Sequence, residues 1–179
     1  MSRLVLKTAK CRCGNELQLT PNEILCSHCG SRYEYDPEKV IVPYLEFQCG
    51  DRTAVPFLLS DSVVIGRDSR DRDYVKAIYR HDQTRVENTL IRNRYISREH
   101  IAIVVEEENT LAEENTQREI IRRKKCVVED LASTHGTEVN GTPLRPRSLV
   151  ELRHGHTVVL GPRTPLPLVI TLKERLQRD

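Results

Sequence analysis

The residues with the most chemistry to offer sit in two places. Four cysteines crowd into a short N-terminal stretch as Cys11-x-Cys13 and Cys26-x2-Cys29, with Gly14 and Gly30 directly after the pairs. Four thiolates can close a tetrahedral shell around a metal ion, and a glycine after each pair permits the tight turn in which backbone amides point back at sulfur. Free thiols or disulfides are the alternative, but such uneven clustering favours metal. Cys49 and Cys126 stand apart in apolar, strand-like surroundings.

The second set is scattered in sequence. Arg67 follows Gly66 at the end of an apolar run, Ser97-Arg98-Glu99-His100 opens another, and DLASTHGTEVNG (Asp130 to Gly141) closes a third. A phosphorylated hydroxyl carries about two negative charges and three strong acceptor oxygens, so its pocket wants a guanidinium fork backed by hydroxyl and amide donors. Arg67 offers such a fork, and Ser97 an O–H donor at the start of a strand. The same residue types also serve as surface arginines and loop caps, so each motif alone is weak and only the combination is specific.

These residues need a frame. The chain carries a series of short runs rich in Val, Ile and Leu, among them AVPFLL, VVIG, HIAIVVE, CVVEDL, LVEL, TVVLG and LPLVITL, many divided by Gly, Asn, Asp or Pro. That rhythm predicts a mainly β protein, a β-sandwich. Two stretches break it. Asp71 to Arg94 is more basic than acidic and has Tyr74, Val75, Ile78 and Tyr79 at helical spacing, which predicts a short helix in a basic loop. Glu106 to Lys125 is acidic first and basic last, so a hairpin there sets opposite charges across from one another.

Residues 7 to 36 are too short and too poor in large apolar side chains to fold around a hydrophobic core of their own, and need a metal to hold them. DPEKVIVP (Asp36 to Pro43) has the composition of a connector. The expected division is a metal-binding segment over 1–36, a linker over 37–43 and the sandwich over 44–179.

The N-terminal pairs resemble the knuckles of zinc ribbons, CRCG and CSHCG, with LQLTPNEIL as the intervening hairpin. One departure is the single residue inside the first pair. His28 is a substitute ligand only if a cysteine fails, and the ribbon resemblance implies one structural zinc held by Cys11, Cys13, Cys26 and Cys29. A closed four-sulfur shell has no open position for catalysis.

The later motifs, in order, resemble the forkhead-associated (FHA) domain family: GR, then SxxH, then DLxSTxGTxxNG, then a glycine-containing turn and a strand ending in LG. The resemblance covers about residues 43 to 174. It implies an eleven-stranded sandwich that reads phosphothreonine peptides through loops at one end. Arg67, Ser97 and Thr134 would hold the phosphate, and Arg98 would add charge or hold peptide backbone. His100 would brace the loops, while Gly66, Gly136, Asn140 and Gly141 shape the backbone. At position 135 the family commonly has Asn and this chain has His, which leaves a donor and an acceptor for the peptide main chain. His154 and His156 stand where the family usually has Gly-Asp, and read as turn residues.

The expected function is therefore a phosphothreonine-dependent adaptor in kinase signalling, partnered by a Ser/Thr kinase or its substrate. With 28 basic and 26 acidic side chains in 179 residues, there is no global charge pulling the chain to nucleic acid or membrane. The N-terminus lacks the apolar stretch and cleavage site of a signal peptide, so a cytoplasmic location is expected. No nucleophile elbow, metallohydrolase pattern or phosphate-cradling glycine loop is present, which argues against an enzyme. The competing readings are a nucleic-acid adaptor acting through the ribbon, or a sandwich that binds an unphosphorylated partner.

Overall fold

The computed structural model describes residues 8–20, 22–114 and 117–178. The expectations for residues 1–7, including the N-terminal leader reading, and for Pro21, Asn115 and Thr116 lie outside the described residues. In chain order the strands are β1 (Thr8–Lys10), β2 (Glu16–Gln18), β3 (Asn22–Leu25), β4 (Arg32–Cys49), β5 (Arg52–Thr53), β6 (Phe57–Leu58), β7 (Val63–Asp68) and β8 (Tyr74–Tyr79). They continue with β9 (Val86–Arg92), β10 (Ile101–Glu114), β11 (Gln117–Asp130), β12 (Thr137–Val139), β13 (Thr142–Pro143), β14 (Leu149–Leu152), β15 (Thr157–Leu160) and β16 (Leu168–Arg178). Among the described residues no helix is long and apolar enough to cross a membrane.

The chain divides into two compact units, one of residues 1–42, 106–124 and 176–179 and the other of residues 43–105 and 125–175. The second is a β-sandwich. One sheet has the order β14-β11-β10-β7-β8-β9 and the other β13-β12-β15-β16-β4, with β5 and β6 also paired to β4. Alternation along the strands sends one set of side chains inward. Val63 and Ile65 of β7, Val75, Ala77 and Tyr79 of β8, and Ile101 and Ile103 of β10 meet Leu45 and Phe47 of β4, Leu160 of β15 and Ile170 of β16 in a single core.

The helix expected within Asp71 to Arg94 is not there. Those residues form β8 and β9, with β8 antiparallel to both β7 and β9. The spacing that suggested a helix, Tyr74 to Ile78 and Val75 to Tyr79, is also an even number of residues, and an even spacing keeps side chains on one face of a strand. Burial shows which period wins: Val75, Ala77 and Tyr79 are buried, whereas Lys76 and Ile78 between them are not.

In the first unit β1 pairs with β2 and β3 with β4, both antiparallel. Residues 37–43, read above as a connector, are strand throughout, and Val40 and Ile41 pair in parallel with Arg122 and Arg123 of β11. Residues 7 to 36 do enter a hydrophobic core, but one shared with strands far along the chain and not theirs alone. Ala9, Leu17, Ile24, Tyr33 and Tyr35 pack with Cys11 and Cys26, and Ile120 of β11 completes the cluster with Leu111 against it. Two of those apolar side chains come from nearly a hundred residues downstream, which is why the local composition understated the core. The charges of Glu106 to Lys125 face one another in Arg122–Glu107 and Arg123–Glu108, both at 3.1 Å, and in Arg118–Glu113 at 3.4 Å.

Candidate functional site

The four N-terminal cysteines converge. Their sulfurs all lie within 4.8 Å of one another, with Cys11 Sγ 3.5 Å from Cys29 Sγ and Cys13 Sγ 3.8 Å from Cys26 Sγ. These separations are too long for a disulfide at about 2.05 Å. They match the edge of about 3.8 Å that four sulfurs would have around zinc at about 2.3 Å each. Among the described residues this is the one cluster of metal-ligating side chains, and His28, His154 and His156 are not in it.

Both knuckles make the same pair of backbone bonds although one is a residue shorter. Gly14 N–H donates to Cys11 O at 2.8 Å and Cys11 N–H to Asn15 O at 2.8 Å; Gly30 N–H donates to Cys26 O at 2.9 Å and Cys26 N–H to Ser31 O at 2.8 Å. The two glycines have φ of 90° and 75°, a left-handed conformation that glycine enters at little cost. The backbone amide of Cys29, with that of His28 beyond it, outweighs burial and holds the Cys26 thiol below its ordinary value. The Ser31 hydroxyl, then its amide, draws Cys29 down to about 6. At Cys26 and Cys29 the donors aimed at sulfur favour the thiolate, which is the form that binds metal, whereas at Cys13 the Asn15 amide is outweighed by burial and the neighbouring thiols, which push it up to about 12. Tyr33, which the sequence did not single out, compensates the short knuckle: its hydroxyl accepts the Arg12 amide at 3.1 Å and lies 3.2 Å from Cys11 Sγ.

In the sandwich unit, three separate segments meet at one place. Arg67 N–H donates to Ser97 O at 3.1 Å, and Arg67 Nε donates to Ile96 O at 2.9 Å. Ser97 Oγ accepts the Thr134 amide at 3.0 Å. Arg67, Ser97 and Thr134 are thereby linked through the backbone between Ile96 and Ser97. One guanidinium N–H of Arg67 is taken by Ile96 and one by Asp73 Oδ1 at 2.8 Å, so three of its five remain for a ligand. Asp73 has no signal in the sequence. It sits beside Arg72 in a turn where both have φ above 50°, a conformation that costs a side-chain-bearing residue of order 1–3 kcal/mol.

Gly66 is not a hinge for Arg67, as its backbone is ordinary. It is required for closeness instead: a Cβ there would lie 1.8 Å from the Arg98 carbonyl oxygen. The absent side chain lets β7 approach the Ser97-Arg98 segment, which is what brings Arg67 to Ser97.

His100 braces the loops from within. It is fully buried; Nδ1 accepts the Ser97 amide at 3.1 Å and Nε2 donates to Gly136 O at 2.8 Å, which together specify the neutral ring protonated at Nε2. Burial pushes its pKa down. Beneath the 131–136 loop, buried Asp130 accepts from the Ser133 amide and hydroxyl and the Thr137 hydroxyl at 2.9, 2.7 and 2.5 Å. Burial alone would raise the Asp130 carboxyl, but these donors outweigh it and hold it below the usual range. The sequence contained this anchor as the first letter of DLASTHGTEVNG, although the site residues chosen from it were the later ones.

The remaining site candidates are more peripheral. His135 is exposed and meets Tyr95 edge-on, with ring centres 6.3 Å apart. Asn140 (φ 50°) and Gly141 (φ 81°) form the two-residue turn between β12 and β13, and Asn140 Oδ1 accepts the Thr157 amide at 2.9 Å. His154 and His156 are turn residues, their Nδ1 atoms accepting the amides of Glu174 and Arg153. Arg98 is exposed on the outward side of Gly66.

The family model of the FHA domain matches residues 63–161, more than half of the chain. The chain belongs to the FHA-domain family. FHA domains are binding modules rather than enzymes, and no catalytic family is indicated. A search of curated proteins finds no match. Solved structures that resemble the chain include the FHA domain of CT664 protein from Chlamydia trachomatis, with 18% identity and a TM-score of 0.48 over 75% of this chain and 98% of that one. Full-length yeast Pml1p has 16% identity and a TM-score of 0.48 over 75% and 83%. The N-terminal FHA domain of S. cerevisiae Rad53p in complex with a phosphothreonine peptide has 18% identity and a TM-score of 0.43 over 72% and 93%. Similarities this low add nothing to the family match.

Proposed function

We propose that this FHA domain binds phosphothreonine peptides, with the phosphate held by Arg67, Ser97 and Thr134 and the peptide main chain met by Arg98 and His135. The observation that carries the reading is the convergence of Arg67, Ser97 and Thr134 through the Ile96-Ser97 backbone, with three guanidinium N–H groups still unspent. Orientation is built in before any ligand arrives, because Ile96 O and Asp73 fix the guanidinium and the buried His100 fixes the Ser97 segment. Preorganised donors of this kind lower the cost of binding.

The partner in this reading is a protein phosphorylated on threonine, a Ser/Thr kinase or its substrate, met inside the cell. The four cysteines hold one zinc ion whose role is to fold the N-terminal unit; Cys11, Cys13, Cys26 and Cys29 fill all four positions, so the ion would carry no chemistry beyond closure. The test is calorimetric titration of degenerate phosphothreonine peptides against their unphosphorylated counterparts. Selective binding of the phosphorylated set supports the reading, and equal or absent binding of both sets refutes it.

A further inference from the structure

A groove of about 780 Å³ opens on the outward face of β7 and β8, within the sandwich unit and in the size range of ligand clefts, about 300–1,000 Å³. Its floor is made by the side chains that alternate away from the core. Val64 pairs with Ile78, which is 38% exposed, and Gly66 pairs with Lys76. At Gly66 the Arg98 carbonyl lies against the strand, so the groove is bounded there by the backbone of the Ser97-Arg98 segment. The groove shares Arg67 and Arg98 with the phosphate seat and runs away from it along β8 toward Arg80.

Its charge is one-sided. Six cations line it, Arg67, Arg70, Lys76, Arg80, Arg98 and Arg147, against two acids, Asp68 and Glu99. Some of this charge is already answered. Arg67 is paired to Asp73, Lys76 to Asp68, and Arg147 to Glu129 at 3.4 Å. Arg70 is 94% exposed and reaches Asp68 only at 3.8 Å. Among the described residues the side chains of Arg80 and Arg98 have no carboxylate within ion-pair distance, and both are exposed. By register Arg70 follows the turn end of the β7–β8 pair and Arg80 the opposite end, with Val64 and Ile78 between them.

We infer that this groove holds an acidic segment of the same polypeptide that presents the phosphothreonine, so that the domain reads a phosphate with acidic and apolar residues on one flank. The inference rests on the phosphopeptide reading above. Continuity through Arg67 and Arg98 makes the flank of a seated phosphothreonine the chain nearest the groove, and tethering to the phosphate raises its local concentration there. The apolar Val64–Ile78 floor suits a side chain between acidic ones. A nucleic-acid backbone fits less well, because a continuous run of phosphates has no apolar side chain to set on the Val64–Ile78 floor.

Titration calorimetry on the full chain tests this with three kinds of peptide: phosphothreonine with acidic residues on one or the other flank, phosphothreonine with glutamines in their place, and the acidic sequence unphosphorylated. One of the acidic phosphopeptides should bind about five- to tenfold tighter than the glutamine version at low salt, two or three screened charge contacts being worth that much, and the advantage should shrink as salt is raised. The double variant Arg70→Gln, Arg80→Gln should cut the advantage to about twofold or less while leaving the glutamine peptide's affinity unchanged. Equal binding of acidic and glutamine peptides overturns the inference, as does a double variant that weakens both alike. If no phosphopeptide binds at all, the phosphopeptide reading falls, and the groove is judged by the unphosphorylated acidic peptide alone. Shifts of the Val64, Gly66 and Ile78 amide signals on adding that peptide then support an acidic-segment groove, and their absence refutes it. Displacement of the peptide by an oligonucleotide of equal charge would reassign the groove to nucleic acid.

Discussion

The two units reach a defined structure by different means. The sandwich has a core of 22 buried residues, mostly Ile, Val and Leu drawn from both sheets, and keeps the proposed phosphate ligands outside it, Arg67 near the end of β7 and Ser97 and Thr134 in loops. The N-terminal unit has eight among its described residues, of which two belong to the four-cysteine cluster, so its core and the proposed metal site share atoms. Where core and site are separate, a site residue can be lost without loss of fold. Where they coincide, loss of the ligand is loss of the structure.

The largest expected effect is on the side where they coincide. Stripping metal with a strong chelator, or making Cys26→Ser, should unfold the N-terminal unit, since structural zinc contributes about 10–16 kcal/mol to such folds at neutral pH. Elemental analysis should find one zinc before and none after, and amide signals of Ile24 and Tyr33 should collapse while those of Ile65 and Ile103 persist. Zinc-free protein with those signals unchanged would erase the contrast between the units.

The complementary substitution in the sandwich is Arg67→Ala. It should reduce phosphopeptide affinity at least about 100-fold, because charge-assisted bonds to a phosphate dianion are lost together. Stability should change by under about 1 kcal/mol: the side chain opens no core cavity and Asp73 is left accessible to water. Calorimetry and thermal unfolding measured on the same sample check both halves. By contrast Asp130→Ala, beneath the 131–136 loop, should cost about 3 kcal/mol of stability by orphaning the donors of Ser133 and Thr137, and would lower affinity only through the fold.

A smaller effect comes from pH. His100 is neutral in the fold and its pKa is depressed by burial, so the unfolded chain binds its proton first. The contribution is fully present above the unfolded value of about 6.5 and is lost as pH falls below it toward the depressed folded value. Asp130, also depressed, adds a second loss that begins below about 4. Melting curves of the wild type between pH 7 and 5 should slope downward, and His100→Gln, starting from a lower stability, should flatten that slope. The smallest effect expected is preference for phosphothreonine over phosphoserine, about 0.8 kcal/mol or fourfold for one buried methyl group, read from matched peptides.

The sandwich was legible in its runs of Val, Ile and Leu because each strand contributes several large side chains to a shared core, and such runs survive in a linear reading. β8 was misread because four-residue spacing satisfies a helix and a strand alike, and only the partner strands decide between them. The meeting of Arg67, Ser97 and Thr134 was legible because ordered motifs flank three strands whose pairing then sets the distance. Asp73 was not, because its place beside Arg67 depends on a left-handed turn at Arg72 and Asp73 that no glycine announces. Tyr33 was invisible for a similar reason. Its hydroxyl matters only because the first cysteine pair is one residue short, and the reach from β4 to Cys11 is a fact of folding.

Gly66 and Arg67 are neighbours with opposite kinds of intolerance. With the Arg98 carbonyl 1.8 Å from where a Cβ would be, position 66 has no room for even a methyl group, whereas Val64 and Asp68 on the same face of the strand meet no such limit. A survey of every substitution scored only by ligand capture would rank 66 and 67 together as binding residues. Scored also by the amount of folded protein, the two would part: variants at 66 would vanish from the soluble pool, and variants at 67 would accumulate there, intact and silent.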